Sequence, residues 1–129
     1  MMNIEDVREY CLLKKGSSES FPFNETVLVF KVMNKIFALT DLSAQRLNPD
    51  SEILKTYSIN LKCDPAKAID LREKHKEIKP AYHMNKKHWN TVVLNGDLGN
   101  TLIKKLIDDS YSLVVSGLSV NDQQSLLKN

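Results

Sequence analysis

Cysteine is scarce in this chain. Cys11 and Cys63 are the only two, and they stand far apart. That excludes a disulfide framework and a Cys-x-x-Cys metal or redox motif, and both thiols are expected reduced and semi-buried in a cytoplasmic protein. No stretch of about 18 apolar residues occurs, so no membrane span is expected. The first residues, Met1-Met2-Asn3-Ile4-Glu5-Asp6, carry neither a basic segment nor an apolar one. They are not expected to act as a secretory leader, which leaves the glycosylation pattern Asn24-Glu25-Thr26 without a role. Low-complexity tracts and internal repeats are absent too. So are Gly-x-Ser-x-Gly, a phosphate-binding loop and His-Glu-x-x-His, which removes the best-marked hydrolase, nucleotide-hydrolysing and metalloprotease classes. Tryptophan occurs once, at Trp89.

What is present is an ordinary globular composition, 42% hydrophobic and 26% charged over 129 residues, enough for one domain with a real core. Residues 1–118 are read as that domain and 119–129 as a polar, frayed C-terminal tail. The net charge of +2 is unevenly spread. Residues 62–88 hold 8 basic and 4 acidic side chains and all three histidines, which leaves the remainder net negative. Such asymmetry points to a polyanionic partner, against the plainer reading of a solvated lysine-rich surface.

Periodicity supplies the elements. Asn3 caps a first helix with Glu5 and Asp6 in its first turn, and Ile4, Val7 and Cys11 form its apolar stripe up to a stop at Gly16. Ser17 to Ser20 reads as a polar connector. Two β-branched and aromatic runs, 26–32 and 35–40, predict a hairpin across Met33-Asn34. Residues 43–55 read as a loop. Tyr57 to Cys63 alternates cleanly as a half-buried strand. Asp64-Pro65 opens a second helix reaching about residue 74 to 76. Residues 78–88 read as irregular, Trp89 to Leu94 as a strand, and Asn100 as the cap of a last helix ending near Gly117. The fold class is therefore α+β: an antiparallel sheet with helices packed on one face, in the order α-β-β-β-α-β-α.

Three blocks carry a resemblance: Phe21-Pro22-Phe23-Asn24-Glu25-Thr26-Val27-Leu28-Val29-Phe30-Lys31-Val32, Ile59-Asn60-Leu61-Lys62-Cys63-Asp64-Pro65, and Tyr82-His83-Met84-Asn85-Lys86-Lys87-His88-Trp89-Asn90-Thr91-Val92. In order and separation they resemble the MmcQ/YjbR family, over roughly Ile4 to Leu118. The resemblance implies a CyaY-like (frataxin-like) fold and a DNA-binding role by analogy to a double-wing arrangement, a fold-level inference. Members often carry Gly-Gly where this chain has Met33-Asn34.

The third block also carries the chemistry. Lys86 and Lys87 suit phosphates, and Asn85, His83, His88 and Asn90 offer hydrogen bonds to backbone or base edges. Tyr82 and Trp89 can stack on unpaired bases, and Lys62 and Lys79 widen the basic patch. The plainer readings are a tryptophan that anchors the sheet and solvated lysines. His75, His83, His88 and Cys63 lack metal-ligand spacing, and the acids Glu5, Asp6 and Glu9 make an ordinary helix start, so no metal or cofactor is expected. Cys63 lies on an apolar strand face, where a structural thiol fits better than a nucleophile. The expectation is a non-enzymatic nucleic-acid-binding protein, with DNA foremost. The rival is a protein-interaction module built on the loop aromatics Phe21 and Phe23, with Pro22 between them. Oligomeric state is left open.

Overall fold

Asn3 starts the first helix by local hydrogen bonding alone. Its side-chain oxygen accepts from the Asp6 amide (2.8 Å), and the Asp6 carboxylate accepts from the Asn3 amide (3.0 Å). This reciprocal cap satisfies two amides that a helix start otherwise leaves open. The computed structural model describes residues 2–42, 57–81 and 84–128. The loop expected over 43–55 and the residues Tyr82 and His83 lie outside these.

In chain order the elements are α1 (Ile4–Leu12), β1 (Ser17–Ser20), β2 (Val27–Val32), β3 (Lys35–Asp41), β4 (Ser58–Lys62), α2 (Pro65–Lys74), β5 (Ile78–Pro80), β6 (Trp89–Val93), α3 (Asn100–Ser116) and α4 (Val120–Lys128). The strands form one sheet in the order β1-β2-β3-β4-β6-β5, and every neighbouring pair is antiparallel. The α+β class and the antiparallel sheet agree with the sequence reading, while the element order is longer by β1, β5 and α4. Among the described residues no helix is long and apolar enough to cross a membrane.

β1 and β5 escaped the sequence reading for physical reasons. Ser17-Ser18-Glu19-Ser20 has no apolar alternation, because an edge strand is held by backbone pairing to β2. A bidentate pair from Arg8 of α1 to Glu19 (2.8 and 2.6 Å) fixes it from the side. β5 is three residues long and ends at Pro80, which an edge tolerates.

The core lies on one side of the sheet. Leu28, Phe30, Ile59, Leu61 and Val92 face Val7 and Cys11 of α1 and Ile103, Leu106 and Ile107 of α3, with Leu71 of α2 packed against the same cluster. The β2–β3 hairpin turns through Met33 (φ 48°) and Asn34 (φ 66°), both left-handed. A two-residue hairpin turn wants that geometry at both positions, which explains why glycines suit it. Asn tolerates it; Met is placed there at a cost of about 1–2 kcal/mol.

Two terminal expectations are corrected. Gly99, not Asn100, is the N-cap of α3, and no side chain caps it. Residues beyond 118 are not a frayed polar tail: α4 is a helix whose Leu126 is buried in the core cluster. One apolar side chain at the right place suffices to dock it, and a mostly polar sequence hides that.

Candidate nucleic-acid interface

β4 and β6 are five-residue strands with the same alternation. Ile59 and Leu61, like Asn90 and Val92, turn toward the helices and are buried. By the pleat, Lys62 and Trp89 turn to the opposite face. Register places them directly across from one another, and Lys79 of β5 stands opposite Thr91, two residues along β6 on that same face. Directly opposed side chains have Cβ atoms about 4.5–5.5 Å apart, so Lys62 and Trp89 are immediate neighbours. Both are half-buried, and Lys79 is exposed. The rest of this face on the three strands is Ser58, Asn60, Thr91 and Val93, with no carboxylate among them. Thr91 donates its hydroxyl to Asn60 across the strands (2.6 Å).

The turn that feeds Trp89 is built by Asn85. Its side-chain oxygen accepts from the Lys87 amide (2.9 Å), and its carbonyl accepts from the amides of His88 (3.2 Å) and Trp89 (2.9 Å). Asn85 is therefore first a turn residue. Lys86 and Lys87 project from this turn into solvent, while His88 is half-buried and its carbonyl accepts from the Cys63 amide (2.7 Å).

Asn90 does not belong to the interface. It is 2% exposed, its side-chain oxygen accepts from Arg72 Nε (2.7 Å), and its amide nitrogen donates to the Ala68 carbonyl (3.4 Å). The same guanidinium donates through Nη2 to the Lys86 carbonyl. Arg72 thus ties α2 to the inner face of β6 and to the lysine-bearing turn. The sequence held a signal for this: a polar residue at an inward strand position needs a buried partner.

A model of the family described as YjbR matches residues 12–113. The chain belongs to the YjbR family. It is 30% identical to the uncharacterized protein YjbR of Escherichia coli strain K12 over 127 residues, covering 98% of this chain and 99% of that one. It is 40% identical to the uncharacterized protein YbdF of Escherichia coli O157:H7 over 104 residues, 81% of this chain and 77% of that one. Among solved structures it is similar to a Deinococcus radiodurans protein of the DUF419 domain (TM-score 0.81, 36% identity, 98% of this chain and 88% of that chain). A Pseudomonas syringae protein matches with a TM-score of 0.71 and 35% identity over 87% and 98% of the two chains.

In this YjbR-family chain the cations divide into two groups. Arg8, Lys14, Lys74, Lys76 and Lys105 stand in ion pairs. Lys62, Lys79, Lys86 and Lys87 stand in none among the described residues. Lys15, Lys31, Lys35, Lys67, Lys104, Lys128 and Arg72 stand in none among these residues either, so what sets Lys62, Lys79, Lys86 and Lys87 apart is their position on the acid-free face and the turn beside it. The thiols contribute no chemistry to it: burial raises the Cys63 pKa, with Asp64 and Asp109 adding to the rise, and burial pushes Cys11 up to about 12. Neither is an activated nucleophile.

Proposed function

We propose that this YjbR-family protein is a non-enzymatic nucleic-acid-binding module, with DNA its foremost ligand. The observation that supports it most is the acid-free face of β4, β6 and β5, where Lys62 abuts Trp89 in register. Lys79, Lys86 and Lys87 would engage phosphates, and the half-exposed indole would stack on an unpaired base. Asn85 and His88 would hold the turn that presents them. Two free thiols favour a reducing, cytoplasmic setting. We read the layer arrangement as frataxin-like (CyaY-like), supported by the antiparallel sheet with helices on one face.

The test is fluorescence anisotropy with single-stranded and duplex DNA at two salt concentrations. Engagement of four phosphates of a duplex gives a log–log salt slope of about −3.6. Lys86→Glu/Lys87→Glu should lose most of the affinity while its circular dichroism matches the parent. A folded double variant that binds as tightly as the parent removes the turn from the interface.

A second reading has its own observation. Phe21 and Phe23 are 47% and 66% exposed in the loop before β2, as a protein-docking site requires. Absence of DNA binding at low salt, with a partner recovered by pull-down and lost on Phe21→Ser, would favour it.

A further inference from the structure

β3 and β4 are paired over a short stretch only, Ala38 with Leu61 and Leu39 with Asn60. Beyond it a helix side chain replaces the ladder. The Ser110 hydroxyl of α3, fully buried, donates to the Phe37 carbonyl (2.5 Å) and accepts from the Lys62 amide (2.8 Å). The two strands part there, and the gap is an open groove of about 500 Å³. The hairpin residues Lys35 and Ile36 stand on one side, and Lys62, Met84 and Trp89 on the other. The C-terminal end of α3, with Leu113 and Gly117, lines its base.

Three features of this groove select a ligand. Its size falls within the range of small-ligand sites, about 300–1,000 Å³. Its lining includes two lysines and no acid, and neither ammonium group has an ion-pair partner among the described residues. An indole, a thioether and aliphatic side chains supply apolar surface for a planar ring. We infer that the groove seats one unstacked nucleotide, its base against Trp89 and its phosphate between Lys35 and Lys62. This rests on the nucleic-acid reading above and makes it specific: the protein prefers an unpaired strand to a closed duplex. A free nucleotide and the unpaired end of a strand share this chemistry.

Trp89 is the sole tryptophan, so its emission reports on the surroundings of that one side chain, and the groove variants assign the signal. Fluorescence is titrated with deoxythymidine monophosphate, a single-stranded oligothymidylate and a blunt hairpin duplex. Anisotropy is measured on the two labelled DNAs. The variants are Lys35→Glu on the exposed hairpin and Gly117→Gln at the base. Gly117 has φ −86°, and a Cβ there meets only ordinary contacts, so a side chain is tolerated. The inference expects quenching by the oligothymidylate and none by the hairpin. Both variants should weaken oligothymidylate binding by about tenfold, the scale of one lost stacked base, and shrink its advantage over the duplex. Quenching by the monophosphate but not the strand assigns the groove to a free nucleotide. Equal quenching by duplex and single strand, or folded variants that keep the full single-strand affinity, overturns the groove and leaves the basic face standing. A parent that binds neither DNA at low salt overturns both.

Discussion

Ser110 shows how much one hydroxyl can decide. It sits mid-helix among apolar residues, fully buried, and serves two backbone groups that the sheet ladder leaves open. Removing it strands the Lys62 amide and the Phe37 carbonyl without water, at about 1–3 kcal/mol. Ser110→Ala should therefore lower the urea midpoint with an unchanged slope, and should alter the emission of Trp89 across from Lys62. An unchanged midpoint would mean the strands close up and pair directly. Asp108 is the second case. Burial alone would raise its pKa, but hydrogen bonds from Lys14 and Tyr10 outweigh that and hold it below the usual aspartate value. A depressed carboxyl contributes stability above its unfolded pKa of about 3.9, and that contribution fades as pH falls through the folded value. Stability should decline on the acid side below about pH 4, and Asp108→Asn should flatten that limb. If the two proteins have parallel acid limbs in thermal scans, Asp108 is not linked to folding.

Among the helices and strands, α4 is the part least visible in sequence and most exposed to a single change. Its attachment runs through Leu126, which lies against Gly16 in the α1–β1 turn, and through Lys15 Nζ donating to the Leu127 carbonyl (2.9 Å). Gly16 has φ +71°, and a Cβ there would come within 2.4 Å of Leu126 Cδ1. Gly16→Ala thus combines about 1–2 kcal/mol of left-handed backbone strain with a clash that pushes α4 away. Hydrogen exchange should show the α4 amides losing protection while β2 and β3 keep theirs. Retained protection would show that the turn adapts. By contrast α1, β2, β3, β4 and α2 stood in the sequence at nearly their observed bounds, because each carries its own cap, alternation or run of β-branched and aromatic residues. Asp64, for instance, accepts from the Lys67 amide with Pro65 at the first helical position, as the pair Asp-Pro implies.

For the molecule as a unit, the acid-free face outweighs the overall charge. A net charge of +2 steers weakly, but Lys62 and Lys79 share one face of β4, β6 and β5 with a half-buried indole, and Lys86 and Lys87 stand exposed in the turn beside it. The Lys86→Glu/Lys87→Glu exchange tests this at long range, since it alters the field without touching the core. The association rate should fall and its salt dependence flatten in stopped-flow measurements at low ionic strength. A rate insensitive to the exchange would show that the turn does not steer.

The lysine-rich third quarter, its single indole and the alternation of the strands that carry Lys62 and Trp89 were legible in the linear chain, since alternation along a strand is a local property. The partnership of Lys62 with Trp89 was not, because register joins residues far apart in sequence. Nor was the partner of Asn90: alternation marks its inward position, but helix packing alone supplies Arg72. The groove between the β2–β3 hairpin and β4 draws its lining from β3, β4, β6 and α3, and long-range packing brought those elements together.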